Sequence, residues 1–140
     1  MIVYHCNTNL ILMVPFKTRK DTNSLKEYDK IMQRLSDHKL TVDLQIIDNE
    51  ASVEYKRVIK KKWKINYQLV PPNTYLSNAV EQAICTIKAH FISILAGVAP
   101  DLPRNLWDLL IPQTEVTLNL FRQTSLETLI DHPRRTFTAH

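Results

Sequence analysis

Apolar and polar positions change period along this chain in blocks short enough to be single elements. Residues 1–16 read as two strands, with Asn7 to Asn9 as the turn between them. Residues 24–37 put Leu25, Tyr28, Ile31 and Leu35 at helical spacing. In "VDLQIIDNEAS", residues 42–52, Val42, Leu44 and Ile46 alternate as in a strand, and the run stops at Asp48-Asn49-Glu50. Residues 51–63 predict a second helix, with Val53, Val58 and Ile59 inward and the lysines outward. "INYQLV", residues 65–70, alternates again and ends at Pro71-Pro72, which cannot continue a ladder.

The longest stripe follows. Val80, Ala83, Ile84, Ile87, Phe91, Ile94, Leu95 and Val98 recur at i, i+3, i+4 and i+7, with Asn78 as a plausible N-cap and Gly97 near the end. A last helical region holds Leu106, Trp107, Leu110, Ile111, Thr114, Leu118 and Phe121. Pro112 within it predicts a kink or a split, because proline removes a helical donor. Residues 123–140 show weak periodicity and are expected to form a partly loose tail. Strands alternating with helices after an initial hairpin indicate an α/β layer with a mixed sheet.

Composition changes this picture in three places. A chain of 140 residues suffices for one domain with one core. Gly97 is the only glycine, which excludes glycine-rich phosphate loops and dinucleotide fingerprints, since both need several residues that admit close backbone approach. The net charge of +4 is uneven: "KRVIKKKWK", residues 56–64, holds six cations, and the chain from Ile65 onward is nearly neutral. That favours polyanionic partners mildly, although lysines on a helix usually form a solvated face. Cys6 and Cys85 make no disulfide framework, which points to an intracellular compartment, and no run is long enough to cross a bilayer. The five histidines lack paired zinc spacing. Trp63 and Trp107 read as packing residues rather than stacking platforms, and Cys85 as a small side chain rather than a nucleophile.

Two carboxylates stand out by position. Asp48 closes a strand, and functional residues of α/β sheets gather at the carboxyl ends of strands. Glu81 sits in the first turn of the long helix, where the macrodipole alone would favour it. If that helix crosses the sheet, the two can converge and bind Mg²⁺ or Mn²⁺ through oxygen. Taken on spacing alone, a turn former and a helix-end charge remain the simpler account.

Four stretches carry a family resemblance: "VYHCNTNLILMVPFKTR", "LQIIDNEAS", "INYQLVPPNTYLSNAVEQAICTIKAHFISIL" and "LWDLLIPQTEVTLNLFR". Together they resemble the catalytic core of a long-terminal-repeat retrotransposon integrase, of the ribonuclease-H-like superfamily, over about residues 1–122. The resemblance implies a ribonuclease-H-like mixed sheet flanked by helices, with Asp48 and Glu81 as catalytic metal ligands. They are separated by 32 residues, positions 49 to 80. It also implies Mg²⁺ or Mn²⁺ as cofactor, DNA as partner, a possible homodimer, no membrane, and a nuclear site of action.

Departures from the family limit what is expected. The family's active site needs three carboxylates, and the first comes from its first, central strand, whereas this chain resembles the family from the second strand onward. Residues 1–20 contain no Asp or Glu, and His5-Cys6-Asn7 stands where an acidic pair is usual. Glu50 is a poor replacement, because similar chains carry it alongside the missing Asp. The first strand is therefore expected to have lost a neighbour and to expose an unpaired edge. Leu76-Ser77, Gln82 and Cys85 replace arginines that would contact phosphate, leaving Lys88 and the block Lys60, Lys61 and Lys62 as candidate DNA contacts. The expectation is an incomplete core without strand transfer of its own, or a non-enzymatic dimerisation or DNA-binding module built on the same fold.

Overall fold

The computed structural model describes residues 1–15, 21–47, 51–70, 76–98, 103–122 and 135–139. In chain order the elements are β1 (Ile2–His5), β2 (Leu10–Met13), α1 (Asp21–Asp37), β3 (Leu44–Ile47), α2 (Val53–Lys61), β4 (Asn66–Leu69), α3 (Leu76–Ala96), a 3-10 segment (Arg104–Leu109), α4 (Leu110–Leu120) and β5 (Arg135–Ala139). The strands form one mixed five-stranded sheet in the order β2-β1-β5-β3-β4. β1 is antiparallel to β2 and to β5, while β3 is parallel to β4 and to β5.

Helices cover both faces. On one, Tyr28, Ile31, Met32 and Leu35 of α1 and Tyr55 and Ile59 of α2 pack against Val3, Leu12 and Ile47. On the other, Ala83 and Ile87 of α3 and Leu118 of α4 pack against Ile11 and Met13. The alternation of each strand explains the division: Leu12 points to the first layer, and its neighbours Ile11 and Met13 to the second.

β5 departs most from expectation. Within the stretch expected to be a partly loose tail, Arg135–Ala139 forms the middle strand, pairing Val3 with Thr138 on one side and Ile47 with Thr138 on the other. β1 therefore has a strand on each edge, and the exposed apolar edge expected there is absent. Thr-Phe-Thr carries good strand propensity, but five residues with no alternating apolar run leave little periodicity to read. Residues 123–134 lie outside the described residues, so the expected tail is addressed only through β5.

Other corrections are local. Val53 opens α2 at 80% exposure rather than turning inward; Tyr55 takes the buried place instead. α3 starts at Leu76, so Asn78 lies inside its first turn and is not the cap. Pro112 produces the expected split: 3-10 geometry runs to Leu109, and Pro112 sits in the first turn of α4, where its missing N–H costs nothing. Trp107 and Phe121 fall off the buried stripe, Phe121 at 85% exposure, with Trp107 meeting Phe91 edge to face at 6.4 Å. Trp63 packs against the first layer as expected, and its Nε1 donates to Asp29 Oδ1 at 2.8 Å.

With one glycine, the chain closes its turns with other residues. Lys39 and Lys64 adopt φ of 58° and 56° just beyond α1 and α2. Leu40 N donates to Leu35 O at 2.8 Å, and Ile65 N to Ile59 O at 3.2 Å, bonds that span the last turn and satisfy otherwise orphaned carbonyls.

Candidate functional site

The end of β3 is the natural starting point, since the chain runs from Ile47 directly into Asp48. Ile47 is flanked by Thr138 of β5 and Leu69 of β4, so this end lies inside the sheet rather than at its rim. Asp48 itself lies outside the described residues, as do Asn49 and Glu50. Glu81 is described: it sits on α3, exposed to solvent. Among the described residues, no three His, Cys, Asp or Glu gather closely enough to hold a metal ion.

The strand beside β3 offers no carboxylate. β5 reads Arg135, Thr136, Phe137, Thr138, Ala139. Thr136 and Thr138 are both buried, and Thr138 Oγ1 accepts a hydrogen bond while Thr136 Oγ1 has no partner among the described residues. Thr138 belongs to a polar network that the sequence did not reveal. Tyr28 OH donates to Gln45 Oε1, and Gln45 Nε2 donates to Thr138 Oγ1, all within the layer under α1 and α2. Tyr55 stacks edge-on against Tyr28 at 4.9 Å. Burial pushes both phenols well above the ordinary tyrosine value, so neither ionises near neutrality.

His5-Cys6-Asn7, the stretch where an acidic pair would be usual, builds a turn instead. His5 is buried, its Nδ1 2.7 Å from Thr8 Oγ1. Cys6 N donates to Arg135 O at 3.0 Å, and Arg135 N donates to Asn7 Oδ1 at 3.3 Å. These contacts pin the start of β5. Burial raises the Cys6 thiol to about 11, against a partial opposing pull from Arg135, so it is not a poised nucleophile.

The candidate cations fall into two groups. Lys88 is exposed on α3. Lys60 and Lys61 are exposed at the end of α2, in the layer on the opposite face of the sheet. Lys62 follows them and is held by Asp29 of α1, Nζ to Oδ2 at 2.7 Å, close to the Trp63 ring. That ion pair competes with any phosphate for Lys62. Lys88 and the α2 lysines therefore do not form one continuous basic face.

A second group of polar contacts, also absent from the sequence reading, seals the outer edge of the sheet. Asn119 and Glu115 of α4 bond the backbone of β2, and Arg122 bonds Asn9 at the turn. Glu115 also pairs with Arg34 of α1 around the sheet edge. The cue available in sequence was Glu115, Asn119 and Arg122 at i, i+4 and i+7 on one helix face.

Comparison with known proteins gives no match: no family model, no curated protein and no solved structure matches this chain. No helix among the described residues is long and apolar enough to cross a membrane.

Proposed function

We propose that this chain is an integrase-type polynucleotidyl transferase core of ribonuclease-H-like fold that does not join DNA by itself. One observation carries the reading: the strand leading to Asp48 lies beside a central strand, and that strand, Arg135–Ala139, bears no carboxylate. In the resembled family a central strand contributes the first of three acids, and the strand that precedes the second acid lies next to it. The strand order and the helix layers support the fold assignment. The acid-free β5 supports inactivity, because two carboxylates cannot fix the in-line geometry that two metals need.

Asp48 and Glu81 are the residual ligands in this reading, and Mg²⁺ or Mn²⁺ binds weakly if at all. DNA binding is weak and electrostatic, through Lys60, Lys61 and Lys88, and any cellular role is nuclear. The test is the purified chain with Mg²⁺ or Mn²⁺ and duplex oligonucleotides bearing a recessed or blunt end. Neither 3′-processing nor strand transfer is expected, and a robust metal-dependent joining reaction lost in Asp48→Asn would overturn the proposal.

A second reading, a non-enzymatic interaction module on the same fold, draws on exposed apolar residues. Ile92 of α3 is 64% exposed, and Val116, Leu120 and Phe121 are exposed on and beyond α4. Isolated exposed apolar residues are ordinary, but several on adjacent helices suit a protein contact. Sedimentation of the wild-type chain against Ile92→Asp tests this second reading: a dimer lost in the variant supports a contact through these helices, and a wild-type chain that stays monomeric removes it.

A further inference from the structure

β5 is the only described strand that links the two halves of the sheet. Remove it from the order β2-β1-β5-β3-β4 and what remains is a hairpin, β1–β2, and a parallel pair, β3–β4, with no ladder between them. Its backbone is hydrogen-bonded along both edges, and its register is fixed by chemistry as well as by the ladders. A hydroxyl must stand opposite Gln45 Nε2, or a buried amide loses its acceptor. Its start must also meet the β1–β2 turn, where Asn7 and Cys6 hold Arg135.

The described residues on either side of the connection that delivers β5 are both anchored at the β1–β2 turn. Arg122 donates to Asn9 O at 2.7 Å, so the chain leaves α4 at the β1–β2 turn. Arg135 is bonded to Cys6 and Asn7 of the same four-residue turn. Residues 123–134 therefore connect two anchors on one turn, while a stretch of that length spans about 40 Å when extended. A length of that order lets β5 reach its own sheet or that of a neighbouring copy, and protein concentration decides between the two.

We propose that the gap between β1 and β3 is an exchangeable strand site whose second occupant is β5 of another copy of this chain. The argument for that occupant is the lock: a strand entering the gap must place a hydroxyl at Gln45 and a backbone N–H at Asn7, and an identical chain does both. Reciprocal exchange regenerates every contact of the monomer in a dimer, so it needs no new complementary surface. This dimer is distinct from any association through the apolar residues of α3 and α4.

The experiment mixes two full-length variants, one carrying Val3→Cys and the other Thr138→Cys, unfolds them together, refolds at high concentration and oxidises mildly. Val3 and Thr138 are direct partners across β1 and β5, and Cys6 bonding Arg135 makes theirs a closely spaced, non-hydrogen-bonded pair. A mixed 3–138 disulfide, mapped by peptide mass spectrometry, forms only when one copy's β5 lies in the other's sheet. It is expected in the dimer fraction, in a yield that rises with refolding concentration. A dimer without the mixed disulfide, where the double variant of one chain forms its internal disulfide, overturns the proposal. Because Thr138→Cys alters the lock, isotopically light and heavy wild-type chains are also co-refolded and read by native mass spectrometry. Mixed dimers that form on co-refolding but not when the separately folded light and heavy chains are combined support exchange; mixed dimers that form equally in both cases, or monomers alone at every concentration, overturn it.

Discussion

The side-chain amide of Asn119 pairs with the backbone of Ile11 as a neighbouring strand would. Its Oδ1 accepts from Ile11 N at 3.0 Å, and its Nδ2 donates to Ile11 O at 2.7 Å. Four residues earlier on α4, Glu115 Oε2 accepts from Met13 N at 2.6 Å. An edge strand normally presents a row of free donors and acceptors that invite another chain. Here one helix face satisfies alternate residues of β2, which has no further strand beyond it among the described residues.

Asn119→Ala should leave both polar groups of Ile11 without that partner and cost about 1–3 kcal/mol. Asn119→Asp keeps the acceptor and loses the donor, and should cost less than full removal. Chemical denaturation checks the order, and thioflavin binding or light scattering checks whether the reopened edge promotes aggregation.

Glu115 is nearly buried, and its carboxylate serves two donors, Met13 N and the half-exposed guanidinium of Arg34. Glu115→Ala should therefore cost more than Arg34→Ala, since only the former strips a backbone donor of its acceptor. Glu115→Gln should recover part of the loss. A denaturant series on the three variants reads the difference as shifts of midpoint at constant slope.

Gln45 lies fully buried between Tyr28 and Thr138. Thr138→Val preserves shape and removes the hydroxyl, leaving the Gln45 amide short of an acceptor, at a cost of about 1–3 kcal/mol. The paired change Gln45→Leu with Thr138→Val should cost less than the sum of the single changes, because both polar groups then leave together. A double-mutant cycle tests this directly.

Lys39 and Lys64 hold left-handed backbone conformations that favour glycine. Lys39→Gly relieves that strain but also enlarges the unfolded ensemble, so a net gain of about 0.5–1 kcal/mol is expected. That corresponds to a rise in Tm of roughly 3 °C for a domain of this size. A fall in Tm would show that the lysine stem contributes packing that outweighs the backbone term.

The pH dependence above neutrality follows from the same burial. Cys6 is raised from 9.0 to about 11 by burial, so the unfolded chain gives up this proton first. Its contribution to stability is fully present below pH 9 and is lost as pH rises from about 9 to about 11. Tyr28 and Tyr55 are shifted the same way and add to the alkaline loss. Thermal unfolding at pH 8, 9, 10 and 11 should show a falling Tm, and Cys6→Ser should flatten the slope between 9 and 11. A thiol reagent at pH 8 should label exposed Cys85 before Cys6.

Much of the fold can be read from local pattern. The stripe of Tyr28, Ile31 and Leu35 does line the first layer, and Ala83 and Ile87 do line the second, because a helix face is set by residues three and four apart. The two initial strands, the strand before Asp48 and the division at Pro112 are equally local. The candidate site is less legible. Glu81 and Lys88 were visible as charges beside an apolar stripe, yet whether they meet anything depends on how α3 crosses the sheet. Lys62 looked like one more solvated lysine, and its bond to Asp29 joins residues 33 positions apart.

By itself, then, the sequence determined the helices and strands from β1 to α4, where the positive charge gathers, and that no glycine-rich loop is present. Those properties follow from period, propensity and composition, which act over a few residues. Only the tertiary structure decided that Arg135–Ala139 lies in the middle of the sheet, that Gln45 is buried, and that Asn119 closes the edge of β2. Each of these joins residues 93 or 108 positions apart, or sets one strand among four others. Such pairings are chosen by which polar groups would otherwise be left unsatisfied once the two helix layers shut out water, and no local period encodes that.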